Sequence, residues 1–125
     1  MKWLFRDPPL GTGEAVRWKK KASLGPSTGT PDVRTAVAGV LYLTTAGRLL
    51  FVPNRGNLRE YIQTREWSIR DIAEVGEQQR DWTPYTGGMQ KRLRIGLRDG
   101  RELLFVVSKR DETIDGLRSV VHGAL

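Results

Sequence analysis

Arg17, Lys19, Lys20 and Lys21 put four cations within five residues, interrupted only by Trp18. Such a cluster breaks no bonds; it attracts anions, and its natural counterpart is a negatively charged surface. A second group lies at Trp82, Tyr85 and Met89 beside Lys91 and Arg92. Amphipathic rings next to cations suit a membrane interface, but the same residues suit packing over the domain or a protein partner. Packing or partner binding ranks ahead of insertion. Trp3, Leu4 and Phe5 pose the same question near the first residue, with packing as the default.

Catalytic constellations are missing. The chain has no cysteine, which excludes thiolate nucleophiles, disulfides and Cys-ligated metals. His122 is the sole histidine and lies among the last four residues, so neither a His-based metal cage nor a triad is expected. It suits the last turn of a helix, as a partner for the dipole. Gly11-Thr12-Gly13 lacks the Lys-Ser/Thr of a phosphate loop. Glu74 with Glu77, and Asp111 with Glu112, are ordinary spacings for surface acids. The reading is a non-enzymatic chain with no cofactor and no metal.

The elements that position these residues fit one compact domain of 125 residues, with residues 1–13 as an N-terminal segment and 14–125 as the domain. The formal charge is +7, carried unevenly. Residues 1–60 hold ten Lys/Arg against four acids, whereas residues 61–125 hold eleven against ten. No apolar run approaches the ~18 residues of a spanning helix. Residues 1–6 are too short in apolar core for a signal peptide, so a cytoplasmic location is expected.

Period-two alternation dominates the chain. Over Glu14–Leu24, Val16, Trp18, Ala22 and Leu24 form an apolar row and Arg17, Lys19, Lys21 and Ser23 the opposite one; only Lys20 breaks the pattern. The turn-rich Gly25–Pro31 stretch follows as a loop. Val37–Thr44 and Arg48–Pro53 predict a hairpin around Thr45-Ala46-Gly47. Trp67–Val75 predicts one strand with Trp67 and Ile69 on one face, and Arg80–Gln90 predicts a loop. Leu93–Leu97 and Arg101–Val107 predict a second hairpin, with Asp99-Gly100 as a two-residue turn at positive φ. Ser108 is placed as the N-cap of the one helix, with Ile114, Leu117 and Val121 on its apolar face and Gly123 as its stop. Six or seven antiparallel strands followed by one C-terminal α-helix predict a mainly β fold: a pleckstrin-homology-like antiparallel β-barrel capped by that helix.

The segment Gly39–Pro53 resembles the signature hairpin of GRAM domains, a family of the pleckstrin-homology-like superfold. It shows Gly-x-Leu-Tyr-Leu-Thr, a tight turn, and an Arg-Leu-x-Phe-x-Pro return. Trp67–Val75 is similar to the family's strand with Asp71-Ile72 at its centre, and Leu93–Val107 to its last hairpin. The resemblance spans roughly residues 14–121 and is that of a small, bacterial-type member. It implies core roles for Leu41, Leu43, Leu49 and Phe51, and a strand-ending or turn-fixing role for Asp71.

Lipid-binding members place Lys and Arg on the first two strands, around the loop joining them. The matching residues here are Arg17, Lys19, Lys20, Lys21 and Arg34. The second strand lacks the Arg-x-Arg that ends the basic pattern in lipid-specific domains, offering only Arg34-Thr35-Ala36. The resemblance thus implies a non-catalytic binding or adaptor domain, associated with anionic phospholipid at the inner face of the membrane. The alternative is a protein-interaction module or homo-oligomer with no lipid role. Nucleic-acid binding is weaker still, because alternation sends Trp18 to the face opposite Arg17 and Lys19.

Overall fold

The computed structural model describes residues 6–81 and 90–123. Among these residues there are seven strands: β1 (Val16–Gly25), β2 (Val37–Thr44), β3 (Arg48–Pro53), β4 (Arg65–Ser68), β5 (Ile72–Gln78), β6 (Arg92–Leu97) and β7 (Glu102–Val107). One α-helix follows, α1 (Arg110–Gly123). All neighbouring strands pair antiparallel, in the order β4-β3-β2-β1-β7-β6-β5. The expected fold class is what forms: mainly β, strands first, one helix last.

The expected alternation decides which residues enter the core. Leu41, Leu43, Leu49 and Phe51 are fully buried within one cluster with Leu24, Leu93, Ile95, Leu103 and Phe105. Aromatic contacts show how far the sheet curls. Trp67 on the edge strand β4 meets Phe105 of β7 edge-on, with ring centroids 6.1 Å apart. Those strands are four places apart in the sheet order, so a flat sheet could not bring them together. The sheet therefore bends around its core, and α1 packs Ile114, Leu117 and Val121 into the same cluster, mainly against β5.

Gly39 is required by this curvature. A Cβ at that position would lie 2.5 Å from the Val52 carbonyl oxygen, closer than real Cβ atoms approach.

Four local expectations are corrected. The Trp67–Val75 segment is two edge strands rather than one, separated by a 3-10 turn at Ile69–Asp71. The Ser68 hydroxyl accepts the Arg70 amide and so caps that turn, which the β-rich pattern around it hides. Asp99-Gly100 is not a pair of positive-φ residues. Only Gly100 takes that conformation (φ 91°), as Gly47 does in the first hairpin (φ 74°), and Leu97 and Arg101 close the turn with a backbone hydrogen bond.

The helix begins at Arg110, preceded by Lys109 at φ 48°, so Ser108 does not serve as N-cap. The Thr113 hydroxyl instead donates to the Ser108 and Lys109 carbonyls. Finally, Val16 does not join the row of Trp18. The β1–β2 register shifts between Val16 and Trp18, a bulge that sends Val16 to a second cluster with Val40, Tyr42, Leu50 and Val52.

That second cluster occupies the outer face of β2 and β3, since its members alternate with the core residues. Residues 6–14 are fastened here as a strap. Arg6 donates to the carbonyls of Pro53 and Ile62, and Arg48 donates to the Pro9 carbonyl at 2.8 Å.

Candidate functional site

Most arginines in the described residues are already engaged. Arg48 pairs with Glu14 and Glu66, Arg65 with Asp32, Arg94 with Glu74, Arg101 with Asp99 and Arg110 with Glu77. Arg98 and Arg118 donate to backbone carbonyls. An arginine paired with a carboxylate presents a neutralised surface, and one held by a carbonyl keeps its charge but has donors already committed. Charge available to a ligand must come from elsewhere. Among the described residues, the side chains of Lys19, Lys21 and Lys109 have neither an ion pair nor a hydrogen bond.

Those three lysines line one groove of about 650 Å³, together with Lys20, Val40, Tyr42, Ser108 and the strap residues Arg6 and Asp7. The sheet explains the grouping. Lys19 pairs with Tyr42 and Lys21 with Val40, so both lysines share the outer face with those residues. Lys20 belongs to the inner row, but at this point β1 has not yet joined β7, whose pairing starts at Ala22. The Lys20 side chain uses that gap to come within 4.0 Å of Glu112 on α1. The Ser108 amide donates to the Lys21 carbonyl at 3.1 Å, which brings Lys109 alongside the strand. The result is a basic rim over an apolar and phenolic floor.

Two acids shape the groove in different ways. Asp7 lines it directly, and after burial its charge is the second cause that pushes the Tyr42 phenol up. Glu14 pins the far end of the strap. Its carboxylate accepts from Arg48 Nε at 2.9 Å and from the Gly11 amide at 2.8 Å, and the Thr44 hydroxyl also donates to it. Arg48 first, then Gly11 and Thr44, hold the Glu14 carboxyl down to about 2 against the opposing effect of burial.

The five residues expected to form a lipid face are divided. Lys19, Lys20 and Lys21 come together, joined by Lys109, which sequence spacing does not reveal because it is 88 residues from Lys21. Arg17 lines a different cleft, with Arg70. Arg34 is exposed on the β1–β2 connection and lines neither. Of the aromatic loop, Trp82, Tyr85 and Met89 lie outside the described residues. Lys91 is half-buried. Arg92 is not an interfacial cation: its side chain is 3% exposed at the start of β6 and pairs with Asp81 at 2.9 Å. A buried guanidinium needs such a partner, and leaving it unpaired is costly.

Among the described residues, no helix is long and apolar enough to cross a membrane. No group of three His, Asp or Glu side chains there is placed to hold a metal ion.

No protein-family model matches the sequence, and no curated protein matches it either. Among solved structures, the chain is similar to the C-terminal domain of an unknown protein from Leishmania infantum. The two superpose with a TM-score of 0.61 at 13% identity, over 88% of this chain and 86% of that one. That likeness shows a shared fold.

Proposed function

We propose that this chain is a non-catalytic binding domain of the GRAM, pleckstrin-homology-like kind, which associates with anionic membrane lipid through the lysine groove. The observation that carries the reading is the convergence of unpaired Lys19, Lys21 and Lys109 on one groove with Val40 and Tyr42 beneath them. Each Lys near an anionic membrane adds about 1 kcal/mol of attraction. The three unpaired lysines together correspond to about a hundredfold preference for an anionic over a neutral surface. Lysine is a mobile, strongly hydrated point charge, which suits a fluid layer of headgroups better than one fixed ligand.

Co-sedimentation with phosphatidylcholine vesicles, with and without phosphatidylserine, tests this reading. The domain is expected to pellet only with phosphatidylserine present, to be released by salt, and to lose binding when Lys19, Lys21 and Lys109 are changed to Glu. Equal binding to both vesicles, or binding that survives those changes, overturns it.

A protein-interaction role has one observation in its favour. Leu58 is 62% exposed on the β3–β4 connection, apolar area that a protein partner would cover. Light scattering checks it: self-association that Leu58→Ser abolishes would support this reading, and a monomer at all concentrations would count against a homo-oligomer.

A further inference from the structure

Arg17 stands at the bulge between Val16 and Trp18, in an open cleft of about 700 Å³ separate from the lysine groove. The β2–β3 turn, Thr45–Gly47, forms one wall and Ser68–Arg70 another. The Ile69 amide donates to the Gly47 carbonyl at 2.9 Å and fixes those two walls together. The last turns of α1 supply Ser119 and Val120.

We propose that this cleft binds the phosphate of a small phosphate monoester, gripped by the guanidinium groups of Arg17 and Arg70. Four observations converge. Neither guanidinium has an ion pair or hydrogen bond among the described residues, in a molecule that ties down most of its other arginines. Among the described residues, no acidic side chain lines the cleft. The Ser68 and Thr45 hydroxyl oxygens already accept backbone amides, from Arg70 at 3.2 Å and Ala15 at 2.9 Å. Their O–H groups are therefore the part left to donate to an incoming oxyanion. Half-buried Val120 adds apolar surface, which suits an organic group behind the phosphate.

The C-terminal end of α1 opposes an anion, but with only about half a unit of negative charge. Two full positive charges outweigh it. Arginine forks also match phosphate oxygens in a way that the lysine rim does not, so this cleft selects a shaped anion where the groove selects a charged surface.

The test is a titration of the isotopically labelled domain with phenyl phosphate, read by amide chemical shifts and calorimetry. Shifts are expected at Thr45–Gly47, Ser68–Arg70 and Ser119–Gly123. Arg17→Gln or Arg70→Gln should weaken binding by about tenfold or more, as expected for a lost hydrogen bond to a charged group. Both arginines are exposed and unpaired, so these variants keep the fold. Arg70→Lys retains the charge without the fork and should recover binding only in part.

A parallel arm uses vesicles carrying phosphatidic acid or phosphatidylserine at matched charge. If the monoester is presented by a lipid, phosphatidic acid is preferred and the two glutamine variants lose that preference. Changing Lys19, Lys21 and Lys109 to Glu leaves phenyl phosphate binding at the cleft, so the two sites fail separately. Absence of phenyl phosphate and phosphatidic acid recognition alike, or shifts confined to the lysine groove, overturns the proposal.

Discussion

Arg17 and Lys19 are two residues apart on one strand, yet they serve different surfaces. Lys19 rims the outer groove over Tyr42 and Val40, with Asp7 of the strap nearby. Arg17 lines a cleft of hydroxyls and guanidiniums in which no acid among the described residues takes part. A single bulge separates them. Cations close in sequence need not add up to one binding face, because a strand that gains a residue re-aims everything before it.

Both regions depend on the same hairpin, since β2 supplies the floor of the groove and the β2–β3 turn supplies a wall of the cleft. The largest expected effect is therefore shared. Phe51, fully buried against Phe105, stabilises that hairpin, and Phe51→Ala should cost about 3–5 kcal/mol. In urea, vesicle binding and phenyl phosphate binding should then disappear together at a lower midpoint. Loss of one at a concentration where the other persists would break the view that they share a scaffold.

Acid should separate the two regions. The Glu14 carboxyl lies at about 2 when folded against an ordinary 4.5, so the strap's pin is fully present above pH 4.5. Its contribution fades as pH falls from there through 2. Amide exchange over residues 6–14 should accelerate across that window, ahead of exchange in the Leu93–Leu97 strand. Glu14→Gln should bring the faster strap exchange to neutral pH. Simultaneous opening of strap and barrel in the wild-type chain would contradict a strap fastened by its own ion pair.

Much of the scaffold was legible in the sequence. Alternation around Thr45-Ala46-Gly47 identified the first hairpin and its buried leucines, and the spacing of Ile114, Leu117 and Val121 identified the helix face. The candidate site was legible only in part. Lys19 and Lys21 stand where alternation puts them, but Lys109 joins them through the pairing of β1 with β7, a long-range register that local pattern does not encode. The bulge at Arg17 leaves no glycine or proline to mark it. Arg92 looked like a surface cation because sequence gives charge without depth; Asp81, eleven residues away, makes its burial tolerable.

Salt offers a gentler contrast. The Debye length shrinks from about 30 Å at 0.01 M to about 8 Å at 0.15 M, so attraction of the lysine groove to a distant charged surface is screened strongly. Direct guanidinium–phosphate contacts are screened less. Vesicle binding should therefore fall more steeply with salt than phenyl phosphate binding, and equal slopes would blur the distinction between the two sites.

The smallest effect expected is a gain. Asp7→Asn removes an acid from the rim of the groove and should strengthen binding to phosphatidylserine vesicles by about fivefold, the equivalent of ~1 kcal/mol. Phenyl phosphate affinity should not move. A gain at both sites would mean that Asp7 acts through overall charge rather than through its place beside Tyr42.

The most direct measurement of the central claim is paramagnetic broadening of the domain's amides by spin-labelled lipid in anionic nanodiscs. Broadening is predicted to centre on Lys19–Lys21, Val40, Tyr42 and Lys109, with Thr45–Gly47 and Arg70 much less affected. Broadening centred on Thr45–Gly47 and Arg70, or on Lys91 and Arg92, with the lysine groove spared, would contradict the account.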